Sequence, residues 1–200
     1  MKITQDPTEK EHNLLFQFLH AIYPISQEAA LYLKGKMVSF TVKKGKFVQS
    51  PNDREEYLFF IVKGVARGFI RMDGQDITTW LNAENTLIGS IRNMGLSLNT
   101  EEYIQALEDM ELLGIRKADL EEMYTRFYEA NIIGRKILEV YYRDAEDRAF
   151  LCRLPTAEKR YLRYLQSRPA MAKRVGLKYL ASYLGMKLET LCRLRAKIKM

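Results

Sequence analysis

Several features that would point to an enzyme or a metalloprotein are scarce in this sequence. Its 200 residues contain two cysteines and two histidines. Cys152 and Cys192 lack the spacing of metal or redox sites, so no disulfide framework, structural zinc or iron–sulfur cluster is predicted. His12 and His20 lie eight residues apart with no further histidine to complete a catalytic cluster. Because P-loop, dinucleotide-binding and G-x-S-x-G motifs are also missing, we expect neither an enzyme nor a cofactor.

Long apolar segments are missing too. The longest apolar runs, such as residues 58–62, are far shorter than the roughly 20 residues that a transmembrane helix needs. The N-terminal segment has no apolar signal core. We therefore expect a cytoplasmic protein with no membrane partner.

What the chain has in excess is positive charge, and this charge is concentrated at one end. The net charge is +7. Residues 151–200 hold 13 Lys and Arg against 2 Asp and Glu, a net +11, whereas residues 1–150 hold 19 against 23, a net −4. A strongly basic C-terminal quarter would attract a polyanion such as nucleic acid.

The first half of the chain is typical of short antiparallel strands. Between residues 37 and 81, apolar runs are separated by glycine turns, and Asp73-Gly74 is a strong hairpin signal because a type I′ turn needs positive φ at both central residues. A further strand pair is predicted at residues 103–107 and 111–115. Many closely spaced strands without intervening helices favour an antiparallel jelly roll, and an amphipathic helix precedes them.

The second half is predicted to be helical, which makes the fold class α+β. A long helix over residues 127–151 carries an apolar stripe at the spacing of a helix that meets a partner helix. We interpret the stripe as a homodimer contact, and the alternative is a core helix packed on its own domain. The stripe consists of Ile133, Ile137, Val140 and Tyr141.

The closing stretch, residues 177–200, predicts two short helices joined at Gly185. Glycine permits the positive φ of the tight turn in a helix-turn-helix, and a small Ala181 lets the two helices cross closely. Lys173 and Arg174 flank the first helix. A plain helical hairpin with a solvated basic face is the alternative.

Polar residues of this stretch have the chemistry to contact DNA. Arg can bind guanine O6 and N7, Glu can accept from cytosine N4, and Lys or Thr can hold phosphates. The candidate DNA-binding residues are Lys178, Lys187, Glu189, Thr190, Arg193, Arg195 and Lys197.

The segment "YLGMKLETLCRLRAKI" resembles the G-x-x-x-E-T-x-x-R core of the Crp/Fnr regulators, and most closely the short members common in Bacteroidetes. The matching apolar and small positions are Leu180, Ala181, Leu184, Gly185, Met186, Leu191 and Leu194. This resemblance implies a cyclic-nucleotide-binding-like β domain over residues 1–126, a dimerisation helix over 127–151 and a DNA-binding domain over 152–200.

When the roles of family residues are assigned to the matching positions of this sequence, the resemblance implies particular DNA contacts. Glu189 and Arg193 would reach base edges, and Thr190 and Lys178 would hold the backbone. Leu188 stands where better-known members have Arg, so the operator is expected to differ. Lys187 stands where Ser or Thr would cap the helix, which forgoes about 1 kcal/mol. The family also suggests a contact with RNA polymerase.

The same resemblance places a candidate effector pocket at Gly89, Ser90, Arg92, Glu102 and Tyr103. Members that bind cyclic AMP have Glu and Arg where this chain has Ser90 and Glu102, and Arg92 is the one nearby replacement. A carboxylate about 4 Å from a phosphate costs roughly 1 kcal/mol in water and about 4 at an effective dielectric near 20. We therefore expect no cyclic AMP binding. Three alternatives stay open for the pocket: it binds no effector, it serves only as a scaffold, or it binds an apolar or cationic effector.

The function that these features favour is a homodimeric transcription regulator that reads a palindromic operator in double-stranded DNA through residues 188–198. Two alternatives stay open at this stage. One is a regulator that responds to a cyclic nucleotide, and the other is a protein-interaction module with a basic tail.

Overall fold

The computed structural model describes residues 2–51, 53, 57–89 and 101–198, with side chains from residue 6 onward. The elements in chain order are β1 (Lys2–Gln5), α1 (Glu9–Ile22), α2 (Gln27–Lys36), β2 (Val38–Val42), β3 (Phe47–Gln49), β4 (Tyr57–Lys63), β5 (Ala66–Met72), β6 (Gln75–Asn82), β7 (Leu87–Ile88), β8 (Tyr103–Ala106), β9 (Met110–Arg116), α3 (Lys117–Arg126), α4 (Tyr128–Arg153), α5 (Ala157–Ser167), α6 (Pro169–Arg174), α7 (Leu177–Tyr183) and α8 (Leu188–Lys197).

The strands form two antiparallel sheets that face each other, here called the β domain. One sheet has the order β1-β2-β9-β4-β7 and the other has the order β3-β8-β5-β6. Alternate side chains of both sheets point inward and form a core that includes Phe40, Phe59, Ile61, Ile104 and Leu112. The predicted α+β fold, with antiparallel strands followed by helices, is confirmed.

The Asp73-Gly74 hairpin forms as the sequence predicts. Strands β5 and β6 pair from Met72 opposite Gln75, and the two residues between them have positive φ, 51° at Asp73 and 75° at Gly74. A type I′ turn matches the right-handed twist of the paired strands, so the short loop fixes their register.

The other predicted strand pair needs a correction. Strands β8 and β9 form where expected, but they do not pair with each other. Strand β8 joins β3 and β5 in one sheet, whereas β9 lies between β2 and β4 in the other. The intervening residues therefore cross from one sheet to the other, as sandwich topologies require.

Helices α1 to α4 cover the outer face of the first sheet. Thr8 and Glu11 form a capping box at the start of α1, and Leu15 and Leu19 are buried on its inner face. Helix α2 was not predicted. Its N-cap is Ser26, whose hydroxyl accepts a hydrogen bond from Ala29 N at 3.2 Å.

The stripe predicted to form a dimer contact on α4 packs mainly within its own chain. Ile133 is buried and Ile137 half-buried in the core shared with α1 and the first sheet. The Tyr141 hydroxyl donates to Leu87 O and accepts from Leu87 N, both at 2.7 Å. Val140 alone of the four is exposed. Ile133 is therefore not available to a second copy, and a dimer role for Ile137, Val140 and Tyr141 stays a prediction.

Helices α5 to α8 form the C-terminal helical domain. Thr156 caps α5 as predicted, accepting from Lys159 N at 3.2 Å. Helices α7 and α8 are joined through Gly185, whose φ is 61°. The fully buried Leu184 and Leu191 hold the two helices together. Among the described residues, no helix is long and apolar enough to span a membrane.

Candidate nucleic-acid interface and effector pocket

Helix α8 has one buried side and one side that faces away from the protein. It begins after Lys187, which acts as N-cap without a side-chain hydrogen bond, as its identity predicts. Leu191 packs at 0% exposure against the neighbouring helices, and Met186 N donates to Ala181 O at 3.0 Å across the turn. This packing fixes which residues α8 presents outward.

The outward side of α8 carries most of the predicted DNA-binding residues. Within the described part of the chain, four of its exposed polar side chains make neither a hydrogen bond nor an ion pair. These four are Lys187, Glu189, Arg193 and Arg195. Thr190 is half-buried, and Lys197 is engaged by Glu158 at 3.4 Å. The structure therefore leaves two arginines and a lysine exposed and unpaired at α8, with Arg193 on the side opposite the buried Leu191.

Lys178 lies on α7, where it is exposed and its ammonium stands 4.9 Å from the centre of the Tyr179 ring. Arg174, at the end of α6, is engaged elsewhere. Its guanidinium donates two hydrogen bonds of 2.7 Å to Glu84 and also pairs with Glu108. The hydrogen bonds from Arg174 lower the pKa of Glu84 to about 2. Both carboxylates belong to the β domain.

A second set of contacts fixes α7 on the edge strand β6. The Ser182 hydroxyl accepts from Thr78 N at 2.9 Å and donates to Asp76 O at 3.2 Å. Ser182 thereby satisfies backbone groups that an edge strand would otherwise leave to water.

Arg67 completes this contact from the β domain. Its side chain is 4% exposed and lies between the rings of Phe69 and Tyr179, at 4.0 and 4.2 Å from their centres. It donates to Gln105 at 2.8 Å and to Asp76 at 2.7 Å. Burial raises the pKa of Asp76, but hydrogen bonds from Arg67 and Arg71 outweigh it and lower this pKa below its usual value. A buried guanidinium thus links the β domain to α7.

The predicted effector pocket is only partly assembled. The Glu102 carboxylate accepts from Trp80 Nε1 at 2.8 Å and from Thr79 Oγ1 at 3.2 Å. Tyr103 stacks on Phe69 with ring centres 5.0 Å apart. Gly89 lines a cavity beside α4. Ser90 and Arg92 lie outside the described residues.

Several residues of these sites were not found from the sequence. Arg67 and Ser182 contact each other's domains across more than a hundred residues, and no local pattern marks such a pair. Arg174 was assigned to the basic flank of α7 on charge alone. No group of three or more potential metal ligands occurs among the described residues.

Comparison with known proteins establishes the fold. No protein-family model matches the chain, and no curated protein matches it. Among solved structures, FixK2 from Bradyrhizobium japonicum is 18% identical with a TM-score of 0.71, covering 81% of this chain and 84% of that chain. A putative transcriptional regulator of the Crp/Fnr family from Eubacterium rectale is 16% identical with a TM-score of 0.68, covering 88% and 84%.

A third similar structure is CLP from Xanthomonas campestris, described as a c-di-GMP responsive global regulator. It is 16% identical with a TM-score of 0.70, and the match covers 87% of this chain and 92% of that chain. Each of the three matches covers at least 81% of this chain. The chain therefore shares the architecture of these regulators.

Proposed function

We propose that this chain is a homodimeric, DNA-binding transcription regulator of the Crp/Fnr type without catalytic activity. One observation carries the proposal. Helix α8 buries Leu191 and turns Lys187, Arg193 and Arg195 outward without intramolecular partners among the described residues. Cations held on a fixed helix without counterions suit a polyanionic groove. The regulators that share this fold support the same function.

The proposed DNA-recognition surface is the outward side of α8. Arg193 and Glu189 would reach base edges, while Thr190 and Lys178 would bind phosphates. Leu188 at the start of α8 is 40% exposed despite being apolar. Such a side chain suits contact with a thymine methyl group, so we expect the operator to carry a thymine at that position.

The dimer contact is proposed on the exposed side of α4, extending from the partly buried stripe that the sequence predicts. Leu138 and Tyr142 lie one turn apart and are 56% and 66% exposed, and Phe150 follows two turns later at 67%. Large apolar side chains at helical spacing on an open face favour contact with the same face of a second copy. A two-fold dimer of this kind would place the α8 helices about 34 Å apart.

Binding to DNA can be tested without knowing the operator. Duplexes selected by the protein from a random pool would be titrated at several salt concentrations. We expect a palindromic consensus and a logarithm of affinity that falls linearly with the logarithm of salt concentration. Affinity that is independent of salt, or selection that returns no consensus, would contradict the proposal and favour an interaction module with a basic tail.

The dimer contact is tested by charge insertion on α4. Leu138→Glu should shift the protein from dimer to monomer in sedimentation equilibrium, because the contact would bury an unpaired carboxylate. Val140→Glu is the matched control, since Val140 is also exposed on α4 but points away from Leu138. If Val140→Glu dissociates the dimer and Leu138→Glu does not, the contact lies elsewhere on the helix.

We also propose that the β domain does not respond to cyclic AMP. The carboxylate of Glu102 occupies the position implied for a phosphate-binding arginine and is held by Trp80 and Thr79. Calorimetry with cyclic AMP and cyclic GMP should give no saturable heat. Micromolar binding would instead establish a regulator that responds to cyclic nucleotides. The division of the chain into a β domain, a dimerisation helix and a DNA-binding domain, with boundaries at residues 126 and 151, remains a prediction.

A further inference from the structure

A cavity of about 340 Å³ lies between the β domain and helix α4. Its described lining comes from strands β4, β6 and β7 and from helices α3 and α4. Apolar side chains predominate, among them Leu58, Leu87, Ile88 and Ile137. The volume falls in the range of about 300 to 1,000 Å³ that small-molecule sites occupy.

Two of the three tyrosine and tryptophan side chains in this lining, Tyr141 and Trp80, already have hydrogen-bond partners within the protein. The Tyr141 hydroxyl exchanges two hydrogen bonds with the backbone of Leu87, and Trp80 Nε1 donates to Glu102. Burial raises the pKa of Tyr141 to about 12, so its hydroxyl stays neutral. Neither residue requires a polar group from a ligand. The part of a bound molecule that lies against these two residues and the leucine and isoleucine side chains is therefore apolar.

Arg148 supplies the unbalanced charge of the cavity. Its side chain lines the cavity and is half-buried, and within the described part of the chain it makes no hydrogen bond or ion pair. Asp144, one turn earlier on α4, is engaged by Arg168 at 3.5 Å. A partly desolvated guanidinium gains more from a carboxylate, which it can bind through two parallel hydrogen bonds, than from any neutral group.

The other free charge of the lining lies toward the opposite end. Glu121 is one turn before Tyr124 on α3, and Tyr124 approaches α4 at Gly134. Gly134 and Arg148 are separated by 14 residues of helix, or about 21 Å. Glu121 is exposed, so water screens it more than Arg148. An anionic group is therefore favoured at the Arg148 end.

We propose that this cavity binds an apolar monocarboxylate, with its carboxylate on Arg148 and its hydrocarbon body along Ile137, Leu58 and Trp80. The site does not depend on the proposed DNA binding. It shares Gly89 with the predicted effector pocket and Leu138 with the proposed dimer contact. It defines the chemical class of effector for the β domain, a long or bulky hydrocarbon acid.

Trp80 provides a direct readout because it is the sole tryptophan of the chain and lines the cavity. The full-length protein would be titrated with decanoate below its micelle concentration, and Trp80 emission would be followed. We expect a saturable change in emission. Decylamine, which has the same chain length and the opposite charge, should bind at least about tenfold more weakly.

The variant Arg148→Gln should weaken decanoate binding about tenfold or more and leave binding of decanol, the neutral analogue, unchanged. Arg143→Gln is the matched control, since Arg143 is exposed on the same helix outside this cavity. Arg148→Lys, which keeps the charge without the planar fork, should give an intermediate affinity. Unchanged thermal midpoints would show that all variants fold.

Three outcomes would overturn the proposal. These are no saturable change of Trp80 emission with decanoate, equal decanoate affinity in wild type and Arg148→Gln, and equal or tighter binding of decylamine. DNA binding is not part of any of these readouts. A protein that binds decanoate through Arg148 but selects no DNA consensus would retain this site and lose only the proposed function.

Discussion

Two faces of the C-terminal helical domain carry similar basic residues but use them differently. On α8, Arg193 and Arg195 are exposed and without partners in the described part of the chain. On the face formed by α6 and α7, Arg174 is held by two carboxylates of the β domain, and Ser182 is bonded to strand β6. One face is open, and the other is an interdomain contact.

This difference shows that net charge alone does not identify the partner. The first 150 residues carry a net charge of −4, and two of their carboxylates, Glu84 and Glu108, pair with Arg174 of the C-terminal helical domain. Part of the basic charge is therefore neutralised within the molecule. Only cations that remain unpaired are available to release counterions from DNA.

The largest expected effect comes from breaking the interdomain contact at its buried centre. Arg67→Ala should lower the free energy of unfolding by about 2 to 4 kcal/mol, because Gln105 and the partly exposed Asp76 lose a buried charged donor while Asp76 keeps Arg71. It also removes the ring contacts with Phe69 and Tyr179. Urea denaturation measures this loss.

Arg71→Ala is the control for this change, since Arg71 lies on the same strand and pairs with the same Asp76 but is 53% exposed. Its loss should cost at most about 1 kcal/mol. Equal losses for the two variants would show that the position of Arg67 between the domains contributes nothing beyond its charge.

A smaller effect is expected at Arg174. Arg174→Ala leaves Glu84 and Glu108 without their guanidinium, so the free energy of unfolding should fall by about 1 to 3 kcal/mol. Lys173→Ala, at the exposed neighbouring position, should leave it nearly unchanged. Because Arg174 is held by the β domain, we expect that neither variant weakens binding to a selected operator more than a few-fold. A large loss of DNA affinity with Arg174→Ala would mean that this arginine leaves the β domain to reach DNA.

Local features of the fold could be predicted because the residues that specify them are close in sequence. The Asp73-Gly74 turn, the Thr156 cap and the turn at Gly185 each depend on a backbone conformation or hydrogen bond within four residues. The outward side of α8 follows in the same way from the spacing of Leu191 and Leu194. These features gave both the fold class and the candidate DNA-binding face.

What could not be predicted depends on contacts between distant residues. Strands β8 and β9 are close in sequence but lie in opposite sheets, and their partners come from elsewhere in the chain. The stripe on α4 identifies an apolar face, but its period does not say whether that face meets a second copy or the chain's own sheet. Arg148 and Arg174 show the same limit, since an arginine's partner is fixed only by folding.

The proposed DNA contacts of α7 and the outward side of α8 can be tested with a pair of single substitutions. Arg193→Ala should cost about 1 to 3 kcal/mol at the selected operator and leave binding to random DNA nearly intact, because a base contact carries specificity. Lys178→Ala should weaken both kinds of DNA similarly and reduce the salt slope by about 1. Gel shifts on both duplexes give the two values. Equal losses on both duplexes with Arg193→Ala would place Arg193 on the phosphates.

The smallest effect concerns the pH dependence of the interdomain contact. Because hydrogen bonds from Arg174 lower the pKa of folded Glu84 to about 2 from 4.5, its ionised form stabilises the folded protein above pH 4.5. That stabilisation is lost as pH falls toward 2.

Glu84→Gln keeps an oxygen that can accept from Gly64 N, at 2.7 Å in the wild type, but removes the charge. The stability difference between wild type and Glu84→Gln, on the order of 1 kcal/mol after screening, should therefore shrink between pH 6 and pH 3. Urea denaturation of both proteins at the two pH values measures it, and carboxylates common to both cancel. A difference that does not change with pH would assign the role of Glu84 to the hydrogen bond with Gly64 and not to its charge.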